Sequence, residues 1–339
     1  MSFEKHLIHT FETFGREPLI RRMDDGSLIC LFLTGGAKEP DNENVLMMSR
    51  SLDDGSTWSV PEVILKHSRR GIWSTELFCE DGKTFAVVHT YNAECHYREL
   101  ETFIMYTYDS GYTWSEPVSL PGNVNGVTLR QGFVMSNGEW FFPMYWQETT
   151  YDFDWTQDTS NEAGRGERFP FRCGAAISGD KGETFSAYGY IKKPYSLWEP
   201  NAIEAEPGHI IMLMRIKGPD ARLERADSYD YGRTWSQPYV TDIGNPGTKL
   251  TLCKIGDTLV LVNNFTLTKE PWRKRTNLQI HTSVDGGKTW QYKLSVEDDG
   301  EAWFYPHAYM DDEKQTMYLA YENSKDHYLK KIPYSEILK

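Results

Sequence analysis

The sequence predicts an all-β fold, a six-bladed β-propeller formed by residues 1–339 as one domain. Three observations predict it. The pattern Ser/Thr-x-Asp-x-Gly-x-Thr-Trp/Phe occurs five times, at Ser51–Trp58, Thr107–Trp114, Ser178–Phe185, Ser228–Trp235 and Ser283–Trp290. Its aspartates, Asp53, Asp109, Asp180, Asp230 and Asp285, step by 56, 71, 50 and 55 residues, the spacing of a repeated supersecondary unit. Between copies the chain reads as short apolar strands separated by turn dipeptides such as Asp25-Gly26, Asp81-Gly82, Asn137-Gly138 and Pro207-Gly208.

Each element follows from local chemistry. In the repeated turn the Asp carboxylate accepts nearby backbone N–H groups, the Gly takes a positive φ, and the aromatic packs beneath. The second strands of the units read as Leu28–Leu33, Thr84–Thr90, Trp140–Tyr145, Ile210–Arg215, Thr258–Asn263 and Met317–Tyr321. The third strands read as Val45–Arg50, Phe103–Tyr108, Cys173–Ser178, Leu223–Ser228, Leu278–Ser283 and Tyr328–Ile332. First strands follow by subtraction: Arg16–Arg22, Trp73–Cys79, Arg130–Ser136, Glu199–Ala205, Lys249–Lys254 and Tyr305–Met310. The last unit lacks an Asp turn, so Leu7–Thr13 is expected to supply its outer strand and close the ring by pairing the two termini.

Composition narrows the function. A net charge of −13 argues against nucleic-acid and acidic-membrane partners. The five cysteines are scattered without metal-ligand or CxxC spacing and read as free thiols, and no cofactor or metal is expected. Met1–Leu7 has no apolar core of a signal peptide and no run approaches a membrane span, which gives a cytoplasmic expectation. The sequence leaves homo-oligomerisation open.

In a propeller the first strands line the axis, and their starts share one face with the ends of the second strands and the starts of the third. That face is expected to carry Arg16, Arg130, Glu199, Tyr305, Tyr91, Trp146, Arg215, Asn263, Asp41, Glu43, Arg98, Arg172 and Arg275. An acidic chain has no solubility need for inward arginines, so the alternatives are rim ion pairs between blades or an anion site. The long 147–172 loop, with Tyr151, Phe153, Trp155 and Phe169, reads as a wall over the pocket or an oligomer contact.

The five Asp turns, Arg16-Glu17-Pro18 and the order of the polar residues resemble the sialidase (neuraminidase) superfamily, and more narrowly its soluble bacterial relatives with Asp-box repeats. The resemblance covers nearly the whole chain. It implies a carboxylate-binding trio of Arg16, Arg215 and Arg275, with Arg273 as an alternative to the last. It implies Asp41, 25 residues after Arg16, as acid/base, Tyr305 as nucleophile, and Glu199 in Trp198-Glu199-Pro200-Asn201 as the base that activates it. Glu17 stands where the family usually has an aliphatic residue, and Pro306-His307 follows where it often has Ser. The family assigns no role to Trp73 or His307; with Arg130 they are candidates for substrate contact, while His307 also fits a buried hydrogen-bonding role.

The implied activity is an exo-acting hydrolase that removes a terminal acidic sugar from a small oligosaccharide or glycoside, with retention. Two further readings stay open. One is another glycan-active propeller enzyme: an arabinan-type exo-hydrolase or a uronate-directed hydrolase or lyase, the lyase drawing on His307, His89, Tyr305 and Arg16. The other is a sugar-binding or scaffold propeller without catalysis.

Overall fold

The computed structural model describes residues 3–95, 99–122, 124–147, 170–216, 221–267, 275–297 and 299–339. Six antiparallel sheets succeed one another along the chain. Blade one runs from Gly15–Arg22 to Glu62–Leu65, blade two from Gly71–Glu80 to Val118–Ser119, and blade three from Thr128–Leu129 to Ser186–Ile191. Blade four runs from Leu197–Glu206 to Tyr239–Gly244, and blade five from Thr251–Ile255 to Gln291–Glu297. Blade six joins Phe304–Asp311, Thr316–Glu322 and Asp326–Pro333 to Lys5–Thr10, so the N-terminal strand closes the ring as expected. Innermost strands of successive blades touch, except that blade three meets the inner strand of blade four through its second and third strands, and blade six touches blade one.

The core is distributed between blades. Phe32 packs with Tyr318 across blades one and six, Leu31 with Val88 across one and two, and Phe85 with Phe142 across two and three. Ile177 packs with Met212 across three and four, Leu213 with Leu261 across four and five, and Val262 with Leu319 across five and six. Every blade buries both faces, which is why the middle strands are apolar throughout rather than alternating.

The Asp turns serve this packing. In the first copy Asp53 accepts from Thr57 N–H at 2.8 Å and from Thr57 Oγ1 at 2.6 Å, while Ser51 Oγ accepts from Gly55 N–H at 2.8 Å. Gly55 has φ +84°, and a Cβ there would meet Leu329 of blade six at 2.3 Å. Gly232 likewise seats on Phe141 of blade three, and Gly287 on Ile211 of blade four. The repeated motif is therefore a self-bonded peg set against the preceding blade.

One expectation needs correction. The inner strand of blade three, expected as continuous Arg130–Ser136, is split into Thr128–Leu129 and Phe133–Val134. Its partner strand carries Pro143, which has no N–H to donate; Arg130 N–H bonds Pro143 O at 2.8 Å and the ladder stops there.

Candidate active site

Three inner strands break register at an X-Pro step: Glu17-Pro18 in blade one, Glu199-Pro200 in blade four and Tyr305-Pro306 in blade six. The residue before each proline has a positive φ: 49° for Glu17, 41° for Glu199 and 47° for Tyr305. Such a backbone is costly for a side chain with a Cβ, by roughly 1–3 kcal/mol, and persists only where its surroundings over-determine it. A bulge re-aims the side chain it carries. Here all three re-aimed side chains are ionisable, and they converge.

The Tyr305 hydroxyl donates to Glu199 Oε1 at 3.4 Å. Arg215 Nη1 donates to Glu199 Oε2 at 2.6 Å, and Arg130 Nη2 lies 3.6 Å from Glu199 Oε1. Burial works against ionisation of Glu199, but Arg215 and Arg130 overcome it and hold the carboxyl down at about 2. Burial and the Glu199 charge push the Tyr305 phenol up to about 12, against the pull of Arg215 and Arg275. The pair is thus an un-ionised phenol beside an ionised carboxylate.

Arg16, Arg215 and Arg275 come together around this pair. The guanidiniums of Arg16 and Arg275 lie 5.6 and 5.2 Å from the centroid of the Phe304 ring, and Arg275 lies 5.7 Å from that of Tyr305. Arg215 lies 5.1 Å from the Trp198 ring. Burial and the neighbouring Arg215 charge lower the pKa of Arg275, the mark of two like charges facing one another. Arg16 is held by Glu322 at 3.6 Å and Glu39 at 3.7 Å. Burial pushes the Glu322 carboxyl up to about 7 even with Arg16 beside it.

Of the other candidate residues, Arg130 reaches the cluster at Glu199. Asp41 sits in the loop between the second and third strands of blade one, and its carboxylate accepts from Glu43 N–H at 3.0 Å and Ala37 N–H at 3.1 Å. Those two amides hold its carboxyl below the usual range. Arg130 is 1% exposed and pairs with Glu17 and the Tyr145 hydroxyl, with its guanidinium 5.1 Å from the Trp73 ring. Trp73 is itself buried. His307 is buried too: its Nδ1 accepts from Ile20 N–H at 3.2 Å, and burial together with the charges of Arg21 and Lys249 drives its pKa well below the ordinary value. The expected substrate contacts Arg130, Trp73 and His307 are therefore engaged by the protein's own groups. Arg98, Arg273 and most of the 147–172 loop lie outside the described residues.

Sequence reasoning missed Lys249, the pairing of Glu17 with Arg130, and the pairing of Glu322 with Arg16. A signal for Lys249 was available: it opens the inner strand of blade five as read from sequence, the position of Arg16, Arg130, Glu199 and Tyr305 in their blades. Among the described residues no group of three or more His, Cys, Asp or Glu could hold a metal ion, and no helix is long and apolar enough to cross a membrane. The five cysteines are free.

Comparison with known proteins bears on the family and the fold. The BNR repeat-like domain family matches residues 26–319. A sialidase of Bacteroides fragilis (strain YCH46) is 27% identical in an alignment 237 residues long that covers 65% of this chain and 39% of that protein. The chain thus spans less than half the length of this curated relative. Among solved structures, the Hadza microbial sialidase Hz136 superposes with a TM-score of 0.74 at 19% identity, over 95% of this chain and 66% of that one. Trypanosoma rangeli sialidase in complex with sialic acid gives 0.68 at 18% identity, over 98% and 55% of the two chains. A Dyadobacter fermentans DSM 18053 protein of unknown function gives 0.69 at 17% identity, over 98% of both. At these identities the solved structures speak for the fold, while the match over most of the sequence speaks for the family: the chain belongs to the BNR repeat-like domain family, as a propeller of the sialidase-like kind.

Proposed function

We propose that the protein is an exo-acting glycosidase of sialidase type that removes a terminal acidic sugar with retention. The observation that carries this reading is the Tyr305 hydroxyl on Glu199 at 3.4 Å, inside the set formed by Arg16, Arg215 and Arg275. Guanidinium forks bind a carboxylate bidentately and stay charged at any working pH. A sugar with a carboxylate on its anomeric carbon docks there and repels a carboxylate nucleophile, whereas a phenol is uncharged until it reacts. This is the recognised exception to the paired-carboxylate rule of glycoside hydrolysis. Glu199 takes the proton of Tyr305 as the phenolic oxygen attacks the anomeric carbon. The resemblance gives Asp41 the acid/base role: it protonates the leaving oxygen and then activates water, so two displacements give retention, and the bound substrate must first relieve the two amide bonds that hold its carboxyl ionised in the free site. Arg130, Trp73 and His307 support these groups from within the protein.

Both histidines that a uronate lyase could use as base are buried and bonded internally, His307 to Ile20 and His89 to Thr75 Oγ1 at 2.8 Å, which favours the hydrolase. The test is release of fluorophore from an aryl sialoside. Turnover in the wild type, lost in Tyr305→Phe, is expected. An unsaturated product from a uronate oligosaccharide, or sugar binding without turnover, would replace this reading with one of its alternatives.

A further inference from the structure

We propose that Lys249 is a positioning residue for the nucleophile: its ammonium group holds the negative charge that forms on Tyr305 when the hydroxyl gives up its proton. The inference rests on the reading of Tyr305 as nucleophile. Lys249 is 3% exposed, and its Nζ is buried without a hydrogen-bond acceptor among the described residues. Lysine is almost never fully buried unless it is paired. Here the amine lies 5.9 Å from the centroid of the Tyr305 ring instead.

Its position is built. Asn245 Oδ1 accepts from Gly247 N–H at 2.9 Å and from Thr248 N–H at 2.8 Å, and Asn245 Nδ2 donates to Thr248 O at 3.1 Å. Arg275 Nη2 donates to Gly247 O at 3.3 Å. The loop that presents Lys249 is thus tied to one of the three site arginines.

Charged neighbours surround the amine from the other blades. Burial is the strongest influence and disfavours the ammonium; Glu17 of blade one, Glu199 of blade four and Glu76 of blade two favour it, and Arg130 opposes it. His307 of blade six feels the Lys249 charge and that of Arg21. The balance brings the amine down to about 8, so its charge changes within a pH range the protein can be studied in.

The step is balanced without any added reagent. The Tyr305 proton moves to Glu199 Oε1, the phenolic oxygen bonds to the anomeric carbon, and the bond to the leaving oxygen breaks as that oxygen takes the proton of Asp41. Lys249 keeps its own proton throughout. Loss of a full charge about 6 Å away in a partly buried site weakens a phenol's acidity by about 10- to 100-fold.

The test reads Tyr305 directly and needs no substrate, so it stands apart from the sialidase assay. Fluorotyrosine is placed at position 305 and its phenol titrated by fluorine NMR in the wild type, Lys249→Met and Lys249→Arg. In the wild-type background the resonance should shift with a midpoint near 8, as the lysine discharges, before the phenol itself ionises. Lys249→Met should abolish that shift and leave the phenol's own midpoint near the wild-type value, because the wild-type lysine is already neutral when the phenol ionises. Lys249→Arg, permanently charged, should remove the midpoint near 8 and make the phenol about 10- to 100-fold more acidic than in the wild type or in Lys249→Met. If turnover is found, its alkaline limb should move upward in Lys249→Arg. No wild-type shift near 8, or a folded Lys249→Arg whose phenol is no more acidic than that of Lys249→Met, would overturn the proposal. The wild-type titration decides even if a variant fails to fold.

Discussion

The outer turns and the axial cluster both place carboxylates, but they satisfy them in opposite ways. At the rim, Asp230 accepts from Ser228, Arg233 and Thr234, all within four residues. Burial opposes the charge there, but these short-range bonds win and lower the pKa. At the axis, Glu17 meets Arg130 across 113 residues and Glu199 meets Tyr305 across 106. There burial is complete, and a carboxyl stays ionised only where arginines surround it. Glu199 does, whereas burial lifts Glu76 and Glu322 to about 7 although each has an arginine beside it. Local bonds give a peg that tolerates solvent; assembled ion sets give a site whose every charge depends on the closed ring.

If that contrast holds, changes at the axis should cost activity and changes at the rim only stability. Tyr305→Phe should have the largest effect, at least a 10³-fold loss of kcat on an aryl sialoside with the melting curve unchanged; Glu199→Gln should lose about 10²- to 10⁴-fold as a proton acceptor is removed. Arg275→Lys should come next, raising KM and lowering kcat/KM by about 10²-fold, because an ammonium cannot reproduce the planar fork. A sialoside assay on Asp41→Ala should show a large loss with a poor leaving group and a much smaller one with an activated aryl group; equal losses would remove Asp41 from the acid role.

Stability predictions follow in decreasing size. Glu17→Gln leaves Arg130 buried opposite a neutral amide, and urea unfolding should report a loss of about 3–5 kcal/mol. The pH dependence has a definite sign. Glu76 and Glu322 bind protons more tightly folded than unfolded, so between the ordinary carboxyl value of 4.5 and about 7 the native state holds more protons. Stability should therefore fall as pH rises through that window, by at most roughly 3 kcal/mol per group, and Glu76→Gln should flatten the melting temperature there. Asp230→Ala should cost only about 1 kcal/mol with activity retained; a site effect would break the division between rim and axis.

The propeller was legible because its signals are short-range. An Asp turn is written in eight consecutive residues, and the middle strands are apolar runs such as Leu28–Thr34 and Thr258–Asn264. The split at Arg130 was missed because it needs Pro143 opposite, a pairing not visible within either segment. The site was legible in its residue types through family resemblance, and the arginines do gather about Tyr305 and Glu199. The burial of Arg130 and His307 was not legible, because sequence shows that a side chain points to the axis but not how deep it sits. The three X-Pro steps at Glu17, Glu199 and Tyr305 were present in the sequence all along, yet only the broken register reveals them as bulges.

By itself the sequence determined the repeat, the turns, the strand order and the pairing of an N-terminal strand with the last blade, expected at Leu7–Thr13 and found at Lys5–Thr10, since each depends on neighbours a few residues apart or on a simple count of units. Tertiary structure alone decided which charges pair, which lie deep, and which carboxyls stay ionised. Those outcomes depend on burial and on distances between blades, and closure of the ring sets both.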